Sequence, residues 1–347
     1  MKLLDLLKRD PDWIYPRDGA EDIVLSTRVR LARNVALFPF PGRATDAERK
    51  DVFRLIKEVL KETKIFDNGL ILSAEDLTLL DKELLFERRL VSKEFLRIKK
   101  FSGVAISADE TISIMINEED HLRIQVISGG FELHRAFDIA NKIDDKIGER
   151  VKYAFSKRWG YLTSCLTNVG TGLRASVLLH LPALNQTGKL HSLMDKLRKE
   201  GFAVRGFFGE GTKAYGNFLQ VSNQITLGVS EEEIIRNLYQ KVKEIVEKEK
   251  NARSRLYDEA GLELENTVWR AYGIMKFARL LNLRDFVNYA SAIRTGIGMQ
   301  IIKNVDLLTI NKLLIEAMPA HLMKKCGKTL EKDEEDYERA KLVRERI

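Results

Sequence analysis

The sequence predicts an α+β body followed by a smaller all-helical module, and three observations carry that prediction. Three β-rich runs between Gly103 and Ile127 are separated by short polar breaks, the pattern of an antiparallel meander. Stretches of helical apolar spacing lie on both sides of that meander. Beyond about residue 252, alternation disappears and every apolar pattern has a helical period. A chain of 347 residues also exceeds the size at which one core usually stops growing. The expected divisions are an N-terminal segment over 1–21, an α+β domain over 22–252 and a helical C-terminal domain over 253–347.

In chain order, Met1 to Tyr15 form a short amphipathic segment in which leucines mix with Asp5, Lys8, Arg9 and Asp10. Thr45 and Glu48 have capping-box spacing, and Val52, Phe53, Ile56, Val59 and Leu60 recur with helical period. The meander follows, with runs at Val104–Ser107, Thr111–Ile116 and Leu122–Ile127. Phe131 to Ile147 returns to helical spacing through Leu133, Phe137, Ala140, Ile143 and Ile147. Further strands are expected at Ala175–Leu181, Phe202–Phe207, Phe218–Val221 and Gln224–Leu227. Ser230 and Glu233 form a second capping box that opens a helix to about Lys250. Trp269–Leu283, Asp285–Ile293 and Val305–Met318 read as helices. The tail from Lys328 to Ile347 mixes both charge signs densely and reads as a solvated helix face.

Composition removes several function classes. The N-terminus has neither the apolar stretch nor the cleavage site of a signal peptide. No apolar run approaches the roughly 20 residues needed to span a bilayer, so a cytoplasmic protein is expected. Cys165 and Cys326 cannot build a disulfide framework. The five histidines show no close pairing with cysteine of the metal-ligand kind. A net charge of +7 points to anionic partners. Basic residues are interspersed with acidic ones, however, without the stripe and interleaved aromatics of a nucleic-acid surface.

Four segments stand out. In Ser26-Thr27-Arg28-Val29-Arg30, an extended chain turns both arginines to one side. By pattern alone, salt-bridged surface arginines are favoured over an anion site. Asn117-Glu118-Glu119-Asp120-His121-Leu122-Arg123 concentrates acid between two strands, either as a solvated turn or as carboxylates aimed at a cation. Ser164 to Arg174 is a loop with Gly170 and Gly172 that leads into a strand; backbone N–H groups of such loops can cradle phosphates. It matches neither a P-loop nor a dinucleotide fingerprint. Val204-Arg205-Gly206-Phe207-Phe208-Gly209-Glu210 again combines arginine, glycine and a carboxylate. Arg28, Arg30, Arg123, Arg174 and Arg205 together suit a triphosphate and a migrating phosphoryl group. Glu118, Glu119 and Glu210 would then face a cationic acceptor.

These four segments, in this order, resemble the signature motifs of the phosphagen (guanidino) kinases, the creatine and arginine kinases. The resemblance spans about residues 22–252. Those enzymes carry a helical domain of roughly a hundred residues before the first arginine motif and lack a helical C-terminal module of this kind. Both departures match the bacterial protein-arginine kinases, as do Gly160-Tyr-Leu-Thr-Ser-Cys165, Val221-Ser-Asn-Gln-Ile-Thr-Leu-Gly228 and Leu342-Val-Arg-Glu-Arg346. The resemblance implies a phosphagen-kinase-like catalytic domain, an antiparallel sheet flanked by helices. It further implies ATP-dependent phosphorylation of arginine side chains in proteins.

By the same resemblance, Ser26, Thr27, Arg28, Val29, Arg30, Arg123, Arg174, Ala175, Ser176, Val177, Leu178 and Arg205 to Glu210 contact ATP. Many relatives carry a nucleotide-holding histidine in the segment written here Glu87-Arg88-Arg89-Leu90, where Arg89 is the expected ATP contact. Glu119 and Glu210 orient the acceptor guanidinium, with Glu119 the better candidate for its proton. Glu118 assists, and Cys165 sits beside the guanidinium as a polarising thiolate. Mg2+ is carried mainly by ATP phosphates and water, with no protein metal site. The family's phosphoarginine pocket opens with arginine in its C-terminal module, where this chain has Glu335 before Asp336, Arg339 and Ala340. Weakened or lost regulation by phosphoarginine is the expectation there. Implied partners are a heat-shock repressor substrate, a zinc-binding activator protein, a AAA+ unfoldase and a second copy of the chain. A kinase of free arginine and an inactive phosphoarginine-binding adaptor are the alternative readings.

Overall fold

The structure is a computed structural model describing residues 1–17, 22–98, 100–206 and 215–347. The N-terminal segment forms two short 3-10 turns, Leu3–Lys8 and Asp12–Ile14. In chain order there follow β1 (Val24–Arg33), α1 (Asp46–Glu62), β2 (Leu70–Ser73), α2 (Leu79–Glu87), β3 (Gly103–Ile106), β4 (Ile112–Ile116) and β5 (Leu122–Gly129). Next are α3 (Leu133–Gly148), the small hairpin of β6 (Phe155–Ser156) and β7 (Gly160–Tyr161), and β8 (Leu173–His180). After these come α4 (Pro182–Gln186), α5 (Leu190–Lys199), β9 (Phe202–Gly206) and β10 (Phe218–Asn223). The chain ends in α6 (Glu231–Phe277), α7 (Leu283–Gly298), α8 (Leu307–Glu316), α9 (Pro319–Cys326) and α10 (Lys332–Arg346). No helix among the described residues is long and apolar enough to cross a membrane.

Eight strands form one antiparallel sheet in the order β2-β3-β4-β5-β1-β8-β10-β9. The expected meander is its β3-β4-β5 part. Strand alternation divides the sheet's faces. Val29, Leu31, Ala175 and Val177 point to one side, where they meet Leu133, Phe137, Ala140 and Ile143 of α3 and the first half of α6 in the main core. The opposite face is covered at its two margins. The helical module packs its own core onto Leu25, Leu178 and Phe218, and the N-terminal turns with α2 cover β3 and β4. The band left between them is the site.

The Thr45–Glu48 capping box forms, with Thr45 N–H donating to Glu48 Oε2 at 2.8 Å. Ser230 caps α6 by accepting from the Glu233 N–H at 3.1 Å, the one leg of the expected box found there. Three expectations are corrected. Gln224–Leu227 is no strand: Asn223 turns inward to bond Ala175 N–H and Leu173 O, and Thr226 bonds across to the glycine loop. The helix opened by Ser230 does not end near Lys250; it continues to Phe277 with one non-helical residue, Ala260, so the expected Trp269–Leu283 helix is its last turns as far as Phe277, and 278–282 leave the helix before α7 begins. The charged tail is not simply solvated, because Arg339, Ala340, Leu342 and Val343 of α10 are buried.

Candidate active site

On the uncovered band, strand register gathers the arginines. Arg28 and Arg30 share a face of β1, with Arg30 directly opposite Arg174 of β8 and Ala32 opposite Arg123 of β5. Arg205 of β9 stands opposite Gln220, which accepts a hydrogen bond from Arg28 Nη2 at 2.9 Å. Like charges facing each other across strands are destabilising. Burial first, then Arg174, Arg123 and Arg205, lowers the affinity of Arg28 for its proton, bringing it down to about 10. Burial, Arg28 and the same three neighbours likewise hold Arg30 well below the ordinary arginine range. Arg30 Nε is buried without a hydrogen-bond partner among the described residues. Neither arginine has a carboxylate partner among those residues, so the pattern-only expectation of salt-bridged surface arginines is overturned. What Arg28 and Arg30 lack among the described residues is an anion.

The acidic segment is not a solvated turn. Asp120 and His121 are fully buried. Asp120 Oδ1 accepts from Asn34 Nδ2 and from Ser164 N–H, both at 2.7 Å. His121 accepts from Val35 N–H at Nδ1 and donates from Nε2 to Pro39 O. That is the neutral tautomer demanded by a pKa which burial lowers to about 4. Only Glu119 projects outward. Glu118 is held by Ser92 Oγ–H at 2.8 Å, and Arg123 bridges Glu118 at 3.0 Å and Glu119 at 2.7 Å. Burial, supported by Asp120, Glu118 and Glu94 and opposed by Arg123, raises the proton affinity of Glu119.

Ser164 N–H on Asp120 ties the acidic segment to the glycine loop. The loop needs glycine at two places. Gly170 has φ +113° and would drive a Cβ into Thr226 O; Gly172 has φ +65° and would drive one into Ala32 O. Thr226 Oγ–H reaches Thr167 O and Val169 O, and buried Arg33 donates to Thr171 O at 2.8 Å. Cys165 is half-buried, with Sγ 3.0 Å from Thr167 Oγ1.

Two cavities result, and Arg30 and Arg205 line both. The polar one, about 490 Å3, brings together Glu118, Glu119, Arg123, Cys165, Arg174 and Gly172. The other, about 170 Å3, combines Arg28 and Arg89 with Trp13, Leu25, Phe86, Gly206 and Gln220. Polyphosphate-sized charge neutralisation thus lies beside an apolar slot on one hand and paired carboxylates on the other.

The remaining sequence-expected residues divide. Ser26, Ser176 and Leu178 lie on the site face but are buried, Leu178 in the module's core. Val29, Ala175 and Val177 are main-core residues on the far side of the sheet, and buried Thr27 bonds Gly130 O at 2.8 Å, so none of these side chains reaches the cleft. Phe207, Phe208, Gly209 and Glu210 lie outside the described residues. Arg89 has its guanidinium 5.1 Å from the Trp13 ring centroid. Burial, then Arg28, brings it down to about 9. In the C-terminal module, Arg339 is wholly buried and donates to Glu335, to Asp336 at 2.8 Å, and to Ala317 O and Leu281 O at 2.9 Å. Its neighbour Ala340 is buried. Trp13, Ser92 and Gln220 are site residues that sequence reading missed. Gln220 carried a weak signal, a polar residue alternating with Leu219 and Val221 in a predicted strand; Trp13 carried none.

Comparison with known proteins agrees with this geometry. Residues 51–252 match the ATP:guanido phosphotransferase, C-terminal catalytic domain family, and residues 261–347 match the protein-arginine kinase McsB C-terminal domain family. The chain is 41% identical to the protein-arginine kinase of Brevibacillus brevis over 97% of this chain and 95% of that one. To the enzyme of the same name from Bacillus subtilis it is 40% identical, over 96% and 93%. Among solved structures, the duplicated taurocyamine kinase of Schistosoma mansoni with bound transition-state-analogue components superposes with a TM-score of 0.61 at 28% identity. That match covers 71% of this chain and 35%, about a third, of that longer one. Lombricine kinase superposes with a TM-score of 0.61 at 26% identity, over 74% and 71%.

Proposed function

The chain belongs to the protein-arginine kinases of the ATP:guanido phosphotransferase family, and from that premise we propose that it transfers the γ-phosphoryl group of ATP to arginine side chains of proteins through the cleft between Arg30 and Glu119. The carrying observation is the adjacency of Arg28 and Arg30, buried without a carboxylate partner among the described residues, to a carboxylate whose proton affinity is raised.

In this reading, Arg28, Arg30, Arg174 and Arg205 receive the triphosphate and the charge that develops on the migrating group. Glu119 and Glu118 orient the acceptor guanidinium. A substrate arginine is protonated at neutral pH, so one nitrogen must lose its proton to become a nucleophile. Glu119 takes that proton as the N–P bond forms, the bond to the β-phosphate oxygen breaks and ADP departs. Ser92 and Arg123 fix the carboxylates, and Cys165 borders the acceptor position. Among the described residues, no cluster of three His, Cys, Asp or Glu could hold a metal. Mg2+ would arrive on the triphosphate and supply charge neutralisation there.

The broader role follows the family. The product marks proteins for regulated degradation by a AAA+ unfoldase and controls a heat-shock repressor in a cytoplasmic stress response. A zinc-binding activator assists, and the enzyme works as a homodimer. With Arg339 satisfied by Glu335 and Asp336, regulation through a C-terminal phosphoarginine pocket is weak. An Glu335→Arg variant should respond more strongly to phosphoarginine than the native chain.

The deciding experiment measures acid-labile phosphate transfer from ATP to an arginine-rich protein and to free arginine, alongside Glu119→Gln. Label on protein alone, lost in the variant, is expected. Label on free arginine alone would make the enzyme a metabolite kinase. No transfer even with activator added would leave a binding adaptor.

A further inference from the structure

The arginine row does not end at another catalytic strand. It ends at the helical module: the cavity that holds Arg28, Arg30 and Arg205 is walled on its other side by Leu314 and Ile315 of α8 and by Met318. A nucleoside triphosphate presents a flat, largely apolar base tethered to polyanionic phosphates, and a site for it needs both surfaces in contact. Here the phosphate surface belongs to the sheet, whereas Leu314, Ile315 and Met318 of the apolar lining belong to the module. The module is fastened at this point. Asn311 Nδ2 donates to Ile14 O at 2.8 Å, and Asn311 Oδ1 accepts from Arg294. The segment so tied carries Trp13, which lines the same cavity, is 3% exposed, and has its indole N–H buried without a partner among the described residues. A buried donor without an acceptor is costly unless a ligand completes it.

We propose that Leu314, Ile315 and Met318 form the base-binding wall of the nucleotide site, with the Trp13 N–H donating to the bound nucleoside, so that the helical module is part of the ATP site. This rests on the reading that the arginine row holds the phosphates. Because the nucleotide then touches both units, binding and seating of the module are linked: what holds α8 against the sheet raises ATP affinity, and ATP holds α8 there.

The test uses the full chain and two variants, Met318→Ala and Leu314→Ala, with inorganic tripolyphosphate as a probe that has phosphates but no base. Removing one apolar contact of this size is expected to raise the KM for ATP about tenfold in each variant, with inhibition by tripolyphosphate unchanged. In a Trp159→Phe, Trp269→Phe background, Trp13 is the remaining tryptophan, and its fluorescence should respond to ADP but not to tripolyphosphate. An unchanged KM for ATP in both variants would overturn the proposal. So would equal weakening of ATP and tripolyphosphate, which reports general damage. If tripolyphosphate fails to inhibit the native enzyme while ATP supports transfer, the premise about the arginine row falls, and the proposal with it.

Discussion

Arg30 and Arg174 face each other across β1 and β8, an arrangement a stability-driven sequence would avoid. Replacing Arg30 with methionine removes a buried, repelled charge. The ligand-free protein should become more stable, by about 1 kcal/mol, while phosphoarginine formation falls by roughly a thousandfold. Thermal melts with and without ATP would show it: a higher melting temperature alone, and a smaller rise on adding nucleotide. Glu119→Gln should lower kcat by about 10²–10⁴ with little change in the KM for ATP, since the carboxylate faces the acceptor cavity. At this scale the sequence was legible wherever charge and alternation coincided. Arg28 and Arg30 read as one-sided from spacing alone, but their lack of carboxylate partners among the described residues depends on which strands pair beside them. The family motif also swept in Val29, Ala175 and Val177, whose alternation turns them into the core.

Among the elements, the glycine loop and α2 make the sharpest demands. Gly172→Ala sets a side chain at φ +65° against Ala32 O and should cost about 1–3 kcal/mol, seen as a lower urea midpoint. Transfer activity should fall with it, since Cys165 and Thr167 ride on the same loop. At the end of α2, Glu87 accepts from the N–H groups of Ala320 and His321 at 2.8 and 3.0 Å and from His321 Nδ1–H at 2.8 Å. Burial nevertheless pushes its pKa from 4.5 up to about 8, the α9 N–H groups opposing. A carboxyl with a raised folded-state pKa contributes stability that is present below about pH 4.5 and lost as pH climbs through 8. Glu87→Gln should therefore flatten the stability profile from pH 5 to 8.5, gaining on the native chain by on the order of a few kcal/mol at the alkaline end. Denaturant titrations at fixed pH values would measure the gap. The helices and the meander were readable because period and caps agree locally. Gln224–Leu227 has strand-like composition, but two hydrogen bonds of Thr226 to the glycine loop take it out of the sheet.

For the whole molecule, the decisive fact is that the module's core includes Leu25, Leu178 and Phe218 of the catalytic sheet. A chain truncated after residue 256 should expose those three side chains, bind hydrophobic dyes and aggregate, as judged by dye fluorescence and light scattering. Sequence alone separated a mixed body from a helical end. It could not show that α6 runs unbroken past residue 252 apart from Ala260, nor that Trp13, Glu87 and Leu314 converge on one cavity. Periodicity reports which face of an element is apolar and says nothing of which distant face it meets.

In the proposed reaction, the bridge from Arg123 to Glu118 and Glu119 gives the acceptor cleft an incumbent of the same chemistry as its guest. An arriving arginine would exchange with a resident guanidinium instead of occupying a bare carboxylate, so the electrostatic gain from docking the side chain itself would be small. Selection of targets would then fall to how long a protein surface keeps its arginine at the cleft.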